Sequence, residues 1–95
     1  MKEIVFDKFY QLYQKGSLSV IDVREVEEFE MLHLEGVQNL PLSQLADTYV
    51  QLDKDQLHYV ICKSGMRSAC ACQFLEEHGC KVINVQGGMM AFENL

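Results

Sequence analysis

Tyr59-Val60-Ile61-Cys62 is an unbroken β-prone run, and Lys63-Ser64-Gly65-Met66-Arg67 leads from it into the segment Ser68–His78 (SACACQFLEEH), with Gly79 directly behind. Apolar residues without polar alternation suit a strand buried on both faces. The segment after the loop reads as a helix, and Gly79 stands where a left-handed residue commonly closes one. A strand, a short loop and a helix form half of a parallel crossover unit, so this stretch predicts an α/β domain.

The alternation continues outward. Glu3–Val5 reads as a short first strand, and Phe6, Phe9, Tyr10 and Tyr13 recur at helical spacing before Gly16. Leu18–Val23 (LSVIDV) reads as a buried strand, followed by an acidic segment of helical character, Arg24–Leu32. Val37–Leu40 precedes Pro41 as a short strand, and Ser43 is placed to cap a helix with Leu45, Tyr49 and Leu52 on one face. Lys81–Val85 is the last strand and Met89–Asn94 a short final helix. The expectation is one domain over residues 1–95, its sheet of about five strands mainly parallel and covered on both faces. Strand order does not follow from such a pattern.

With 48% hydrophobic and 23% charged residues, the chain has the composition of a folded domain. Eight Lys and Arg against fourteen Asp and Glu give a net charge of −6, which disfavours a nucleic-acid partner. Lys63 and Arg67 flank a Ser-Gly turn and point instead to a small anion. No apolar run approaches the roughly 18–20 residues that span a bilayer. The start, MKEIVFDKFYQLYQKG, lacks the apolar stretch of a secretory signal. Four cysteines in a chain with ample core material and no export signal are expected as thiols in the cytoplasm. A monomer is expected.

Cys62 closes its strand at the end where open parallel sheets bind ligands. Ser64-Gly65 permits a tight curve with inward-pointing N–H groups, and a helix N-terminus adds unsatisfied donors and positive potential. Lys63 and Arg67 add charge. Such surroundings favour the thiolate, the nucleophilic form, and suit attack on an electrophilic sulfur, arsenic or phosphorus centre. The plain alternative is a buried cysteine at a strand end.

The chain resembles the rhodanese family at four ordered motifs. Ile21-Asp22-Val23-Arg24-Glu25 with Glu28-Phe29 is similar to the family's Asp-Val-Arg-Glu segment, and His33-Leu34-Glu35-Gly36-Val37 with Asn39-Leu40-Pro41-Leu42 to its His-Ile-Pro-Gly-Ala…Asn-Ile-Pro-Leu segment. The Cys62–Ser68 loop is the third, and Gly87-Gly88 with Ala91-Phe92 the last. The resemblance implies a three-layer α/β/α fold and a sulfurtransferase. Cys62 would take the outer sulfur of thiosulfate or of a persulfide donor and pass it to cyanide, a small thiol or a protein acceptor. The amides of Lys63, Ser64, Gly65, Met66 and Arg67 would cradle the persulfide. It implies neither metal nor cofactor. Val26 and Glu35 stand where proline is frequent, Phe92 replaces tryptophan, and Met66 occupies an often polar position, which leaves the donor open.

Two other functions share these features: a cysteine phosphatase or arsenate reductase, and a non-catalytic interaction module on the same fold. Four residues separate Cys62 from Arg67, whereas the phosphatase and arsenate reductase families have five between the same landmarks.

Asp22 reads mainly as an ion-pair partner fixing the turn, while Arg24 suits either that role or contact with the substrate anion. His33 is expected as a hydrogen-bonded structural histidine, and His58 and His78 as surface or helix-end residues. Cys70 and Cys72 lie about 200° apart on a helix and cannot share one ion. Those two and Cys80 are expected to pack as small apolar groups.

Overall fold

A computed structural model describes residues 1–95. Five strands, β1 (Lys2–Val5), β2 (Ser19–Asp22), β3 (Gln38–Asn39), β4 (Leu57–Ile61) and β5 (Lys81–Gln86), form one sheet in the order β1-β5-β4-β2-β3. Every neighbouring pair is parallel. The helices are α1 (Phe6–Gln14), α2 (Val26–Met31), α3 (Leu45–Thr48), α4 (Met66–Glu77) and α5 (Gly88–Glu93). None is long and apolar enough to cross a membrane.

The period-two geometry of the strands divides the buried residues into two cores. Ile21, Val60 and Val82 face Leu45 of α3 and Ala71, Cys72 and Leu75 of α4. Val20, Tyr59, Ile61 and Val85 face the other way, against Phe6 and Phe9 of α1 and Met89 of α5. Both faces are therefore covered, and the middle strand β4 is buried from His58 to Ile61. Phe92 packs beside Phe6 and Tyr10 at centroid distances of 6.5 and 5.9 Å, so the aromatic that stands for tryptophan keeps a packing role.

Strand order decides where a ligand can sit. From β4 the chain moves outward to β5 on one side, whereas β2 leads outward to β3 on the other. The crevice at the carboxyl ends of β4 and β2 is thus the topological switch point. Cys62 follows β4 there and Arg24 follows β2.

Three local expectations are corrected. Ser43 caps no helix: Leu42–Gln44 and Tyr49–Gln51 are 3₁₀ turns around the single α turn of α3, and the Ser43 hydroxyl donates to Glu25 at 2.6 Å. Helix α4 starts at Met66 rather than Ser68, because left-handed Gly65 (φ +104°) already turns the chain into it. His58 is buried, its ring held between the Ser19 hydroxyl (2.6 Å) and the Asp53 carbonyl (2.8 Å). It lies inside β4, which begins two residues before the apolar run suggested. His78 does sit at a helix end, bonded to the Phe74 carbonyl at 2.8 Å, and His33 bonds to that of Phe29 at 2.7 Å.

Candidate functional site

The backbone of the loop after β4 is shaped from below by the turn after β5. The N–H groups of Met89 and Met90, at the start of α5, donate to the carbonyls of Cys62 and Lys63, each at 2.8 Å. In a trans peptide the N–H opposes the C=O. Drawing those two carbonyls towards α5 therefore turns the N–H groups of Lys63 and Ser64 the other way. Gly88 makes the approach possible: a Cβ there would press on the Cys62 carbonyl oxygen and lie 2.6 Å from that of Lys63. The Gly65 carbonyl is fixed in turn by the N–H of Ala69 (3.2 Å) and the Asn84 amide (3.1 Å). The Gly65 N–H donates to Cys62 Sγ at 3.1 Å.

Two further residues join the sulfur. The Cys62 thiol donates to Ser68 Oγ (3.2 Å), and that hydroxyl donates to Asn84 Oδ1 (2.5 Å). The Asn84 amide also donates to Glu3 (2.9 Å), which orients its acceptor oxygen towards Ser68. Ser68 and Asn84 are fully or almost fully buried. From the sequence neither is assigned a role at the sulfur, although Ser68 closes the Cys62–Ser68 loop. A polar Asn84 between Ile83 and Val85, in an otherwise apolar strand, was the available signal.

Burial of Cys62 pushes its thiol pKa up, but in the ionised form the Ser68 hydroxyl, no longer accepting the thiol proton, turns to donate to the sulfur. With the backbone N–H groups of Ser68, Gly65 and Ser64 it more than offsets burial, so the net direction is down. The offset comes mainly from the hydroxyl and amides, and Arg67, held by Glu28, is a lesser Coulombic partner of Cys62. Thiolate should therefore accumulate below the ordinary thiol value of about 8.5. The pH dependence of iodoacetamide labelling at Cys62 should show a midpoint below that value, moving to higher pH in Ser68→Ala. A midpoint that Ser68→Ala leaves in place would refute this assignment. Burial drives Cys72 the opposite way, to about 12, and also raises Cys80. Both pack in the core as expected, whereas Cys70 is exposed. With the two α4 cysteines on opposite sides of the helix, burying Cys72 leaves Cys70 outside.

The basic residues are engaged differently from one another. Arg24 is buried, its guanidinium on Asp22 (2.8 Å) and on the carbonyls of Leu32 (2.7 Å) and Glu28 (3.4 Å). Removing one partner of such a buried pair typically costs about 3–5 kcal/mol. Arg67 grips Glu28 with both terminal nitrogens, at 2.6 and 2.9 Å. Lys63 and Met66 are exposed. Arg24, Glu28, Met31, Leu32, Lys63 and Glu93 line a groove of about 320 Å³ beside the loop, enough for a small donor. Two other shallow recesses lie away from the loop, around the amino ends of the strands. No three His, Cys, Asp or Glu side chains converge as a metal site.

Residues 5–95 match the rhodanese-like domain family. YtwF of Bacillus subtilis, which carries a provisional sulfurtransferase name, is 42% identical over 76 residues, covering 80% of this chain and 74% of YtwF. The thiosulfate sulfurtransferase GlpE of Shewanella oneidensis is 30% identical over 92 residues, 96% of this chain and 91% of GlpE. Among solved structures, a rhodanese-like domain protein from Staphylococcus aureus superposes with a TM-score of 0.89 at 32% identity, covering 96% of this chain and 90% of that one.

Proposed function

The chain belongs to the rhodanese-like family, and from that premise we propose that it is a sulfurtransferase working through a persulfide on Cys62. The observation that carries the reading is the Gly65 N–H at 3.1 Å from Sγ, with the N–H groups of Ser64 and Ser68 also directed at the sulfur and the Cys62 and Lys63 carbonyls drawn to α5. In this reading the Cys62 thiolate attacks the outer sulfur of thiosulfate or of a persulfide. The new S–S bond forms as the donor's own bond to that sulfur breaks, and sulfite or a thiolate leaves with the electron pair. The amides of Lys63, Ser64, Gly65, Met66 and Arg67 then hold the terminal sulfur as an anion. Cyanide or a thiolate attacks that sulfur and returns Cys62 as thiolate. Cys62 is fully buried, so the exposed loop side chains must part to admit a donor. Arg24 serves as the wall of the groove, its guanidinium already bound to Asp22. Residues 1–95 would act as one monomeric domain in a thiol-keeping cytoplasm.

The four-residue spacing from Cys62 to Arg67, together with the commitment of Arg67 to Glu28, leaves no fork free for a tetrahedral oxyanion. Incubation with thiosulfate should add one sulfur atom by intact mass, removable by cyanide or dithiothreitol, and the protein should not turn over p-nitrophenyl phosphate or arsenate. Phosphatase activity without any persulfide would overturn the proposal in favour of the phosphatase alternative.

A further inference from the structure

We propose that Glu28 is a specificity-determining residue: by clamping Arg67 it withholds that cation from doubly charged donors and suits the site to a persulfide on an uncharged or singly charged chain. The inference rests on the sulfurtransferase reading and narrows its donor class.

It begins with the charges around the groove. Arg24 is neutralised by Asp22 and Arg67 by Glu28, both in hydrogen-bonded pairs. Lys63 makes no ion pair, and Glu93 lines the same groove with the opposite sign. The three cations are thus matched by three carboxylates, and a thiosulfate dianion entering the groove meets no net positive charge. The remaining lining is apolar: Met31 is 88% exposed and Leu32 42%. An apolar lip beside a charge-balanced groove accommodates the organic part of an R–S–SH donor more readily than a small dianion.

The clamp persists at neutral pH, because the Arg67 hydrogen bonds hold the Glu28 carboxyl down at about 2. Glu28 also accepts the Glu25 N–H in the capping box of α2. Glutamine performs that capping task equally well, so Glu28→Gln removes the charge while keeping the helix start. The reaction is unchanged by donor class. The thiolate of Cys62 bonds to the outer sulfur of R–S–SH, the donor's S–S bond breaks, and R–S⁻ departs with the electron pair. The proton stays on the transferred sulfur or passes to water.

The test compares Cys62 loading from thiosulfate and from 2-hydroxyethyl persulfide in the wild type, Glu28→Gln and Glu28→Gln/Arg67→Ala. Freeing Arg67 should raise kcat/KM for thiosulfate about fivefold, mostly through KM and more steeply at low salt, the scale of one partly solvated charge. The uncharged-chain persulfide should change less than about twofold, the apolar lip being untouched, and the double variant should lose the gain. A Glu28→Gln protein that melts like the wild type yet keeps its donor ratio overturns the inference, as does an equal loss with both donors. If neither donor loads sulfur on Cys62 in any form, the sulfurtransferase reading itself falls.

Discussion

Cys62→Ala should abolish sulfur loading, a loss of at least about 10³-fold, since no other group can take the place of a covalent nucleophile. Intact-mass measurement after thiosulfate should find no added sulfur, and thiosulfate:cyanide turnover should fall to background. Cys70→Ala, Cys72→Ala and Cys80→Ala should each still load one sulfur. The contrast is physical rather than positional. Cys72 is equally buried, yet its thiol is pushed up to about 12, because desolvation there meets no amide or hydroxyl contribution that lowers it. Cys70 is exposed and ordinary solvent surrounds it. A Cys62→Ala protein that still transfers sulfur would refute the site assignment outright.

Gly88→Ala should be the most damaging substitution that leaves every reactive group in place. Gly88 has φ +51°, in the left-handed region, which costs a non-glycine residue about 1–2 kcal/mol. The added methyl would also collide with the backbone of Cys62 and Lys63, for which overpacking adds roughly 1–3 kcal/mol. At about 4–8 °C per kcal/mol for a domain of this size, the melting temperature should fall by roughly 10 °C or more. Relieving the collision means letting the Cys62 and Lys63 carbonyls swing away from α5, and their peptide N–H groups swing with them. Turnover should therefore drop at least about tenfold even at a temperature where near-UV circular dichroism shows the variant folded, roughly the effect of losing one aligned donor or more. Wild-type melting and turnover in Gly88→Ala would show that the turn after β5 does not shape the loop.

The class of fold was legible because its signal is local. Leu18–Val23 contains β2, Tyr59–Cys62 and Lys81–Val85 overlap β4 and β5, and the helical spacing of Phe6, Phe9, Tyr10 and Tyr13 becomes α1. Segment ends were less so. Ser43 has the chemistry of a cap, but its hydroxyl is taken by Glu25, a partner 18 residues earlier in the chain. His58 reads as polar and exposed by residue type, yet Ser19 from β2 and the Asp53 carbonyl satisfy its ring inside the sheet. Hydrophobic patterning cannot anticipate a polar group whose partners are supplied from elsewhere.

By itself the sequence determined that a strand ends beside Cys62, that a glycine-containing turn follows, and that a helix begins after it, which together place a thiol among backbone donors. It also carried the four ordered motifs of the family. Only the tertiary structure decided what those donors and charges face. The amides turn inward because α5, more than twenty residues on, holds the Cys62 and Lys63 carbonyls. Ser68 reaches the sulfur under the control of Asn84 and Glu3 from two other strands. Arg67, in the sequence a loop cation close to the thiol, is bound instead to Glu28 on α2. Spacing along a chain fixes which groups are near in sequence. The direction of a hydrogen bond or the pairing of a charge depends on groups brought together across 16 to 81 residues of separation, and only the packed sheet brings them there.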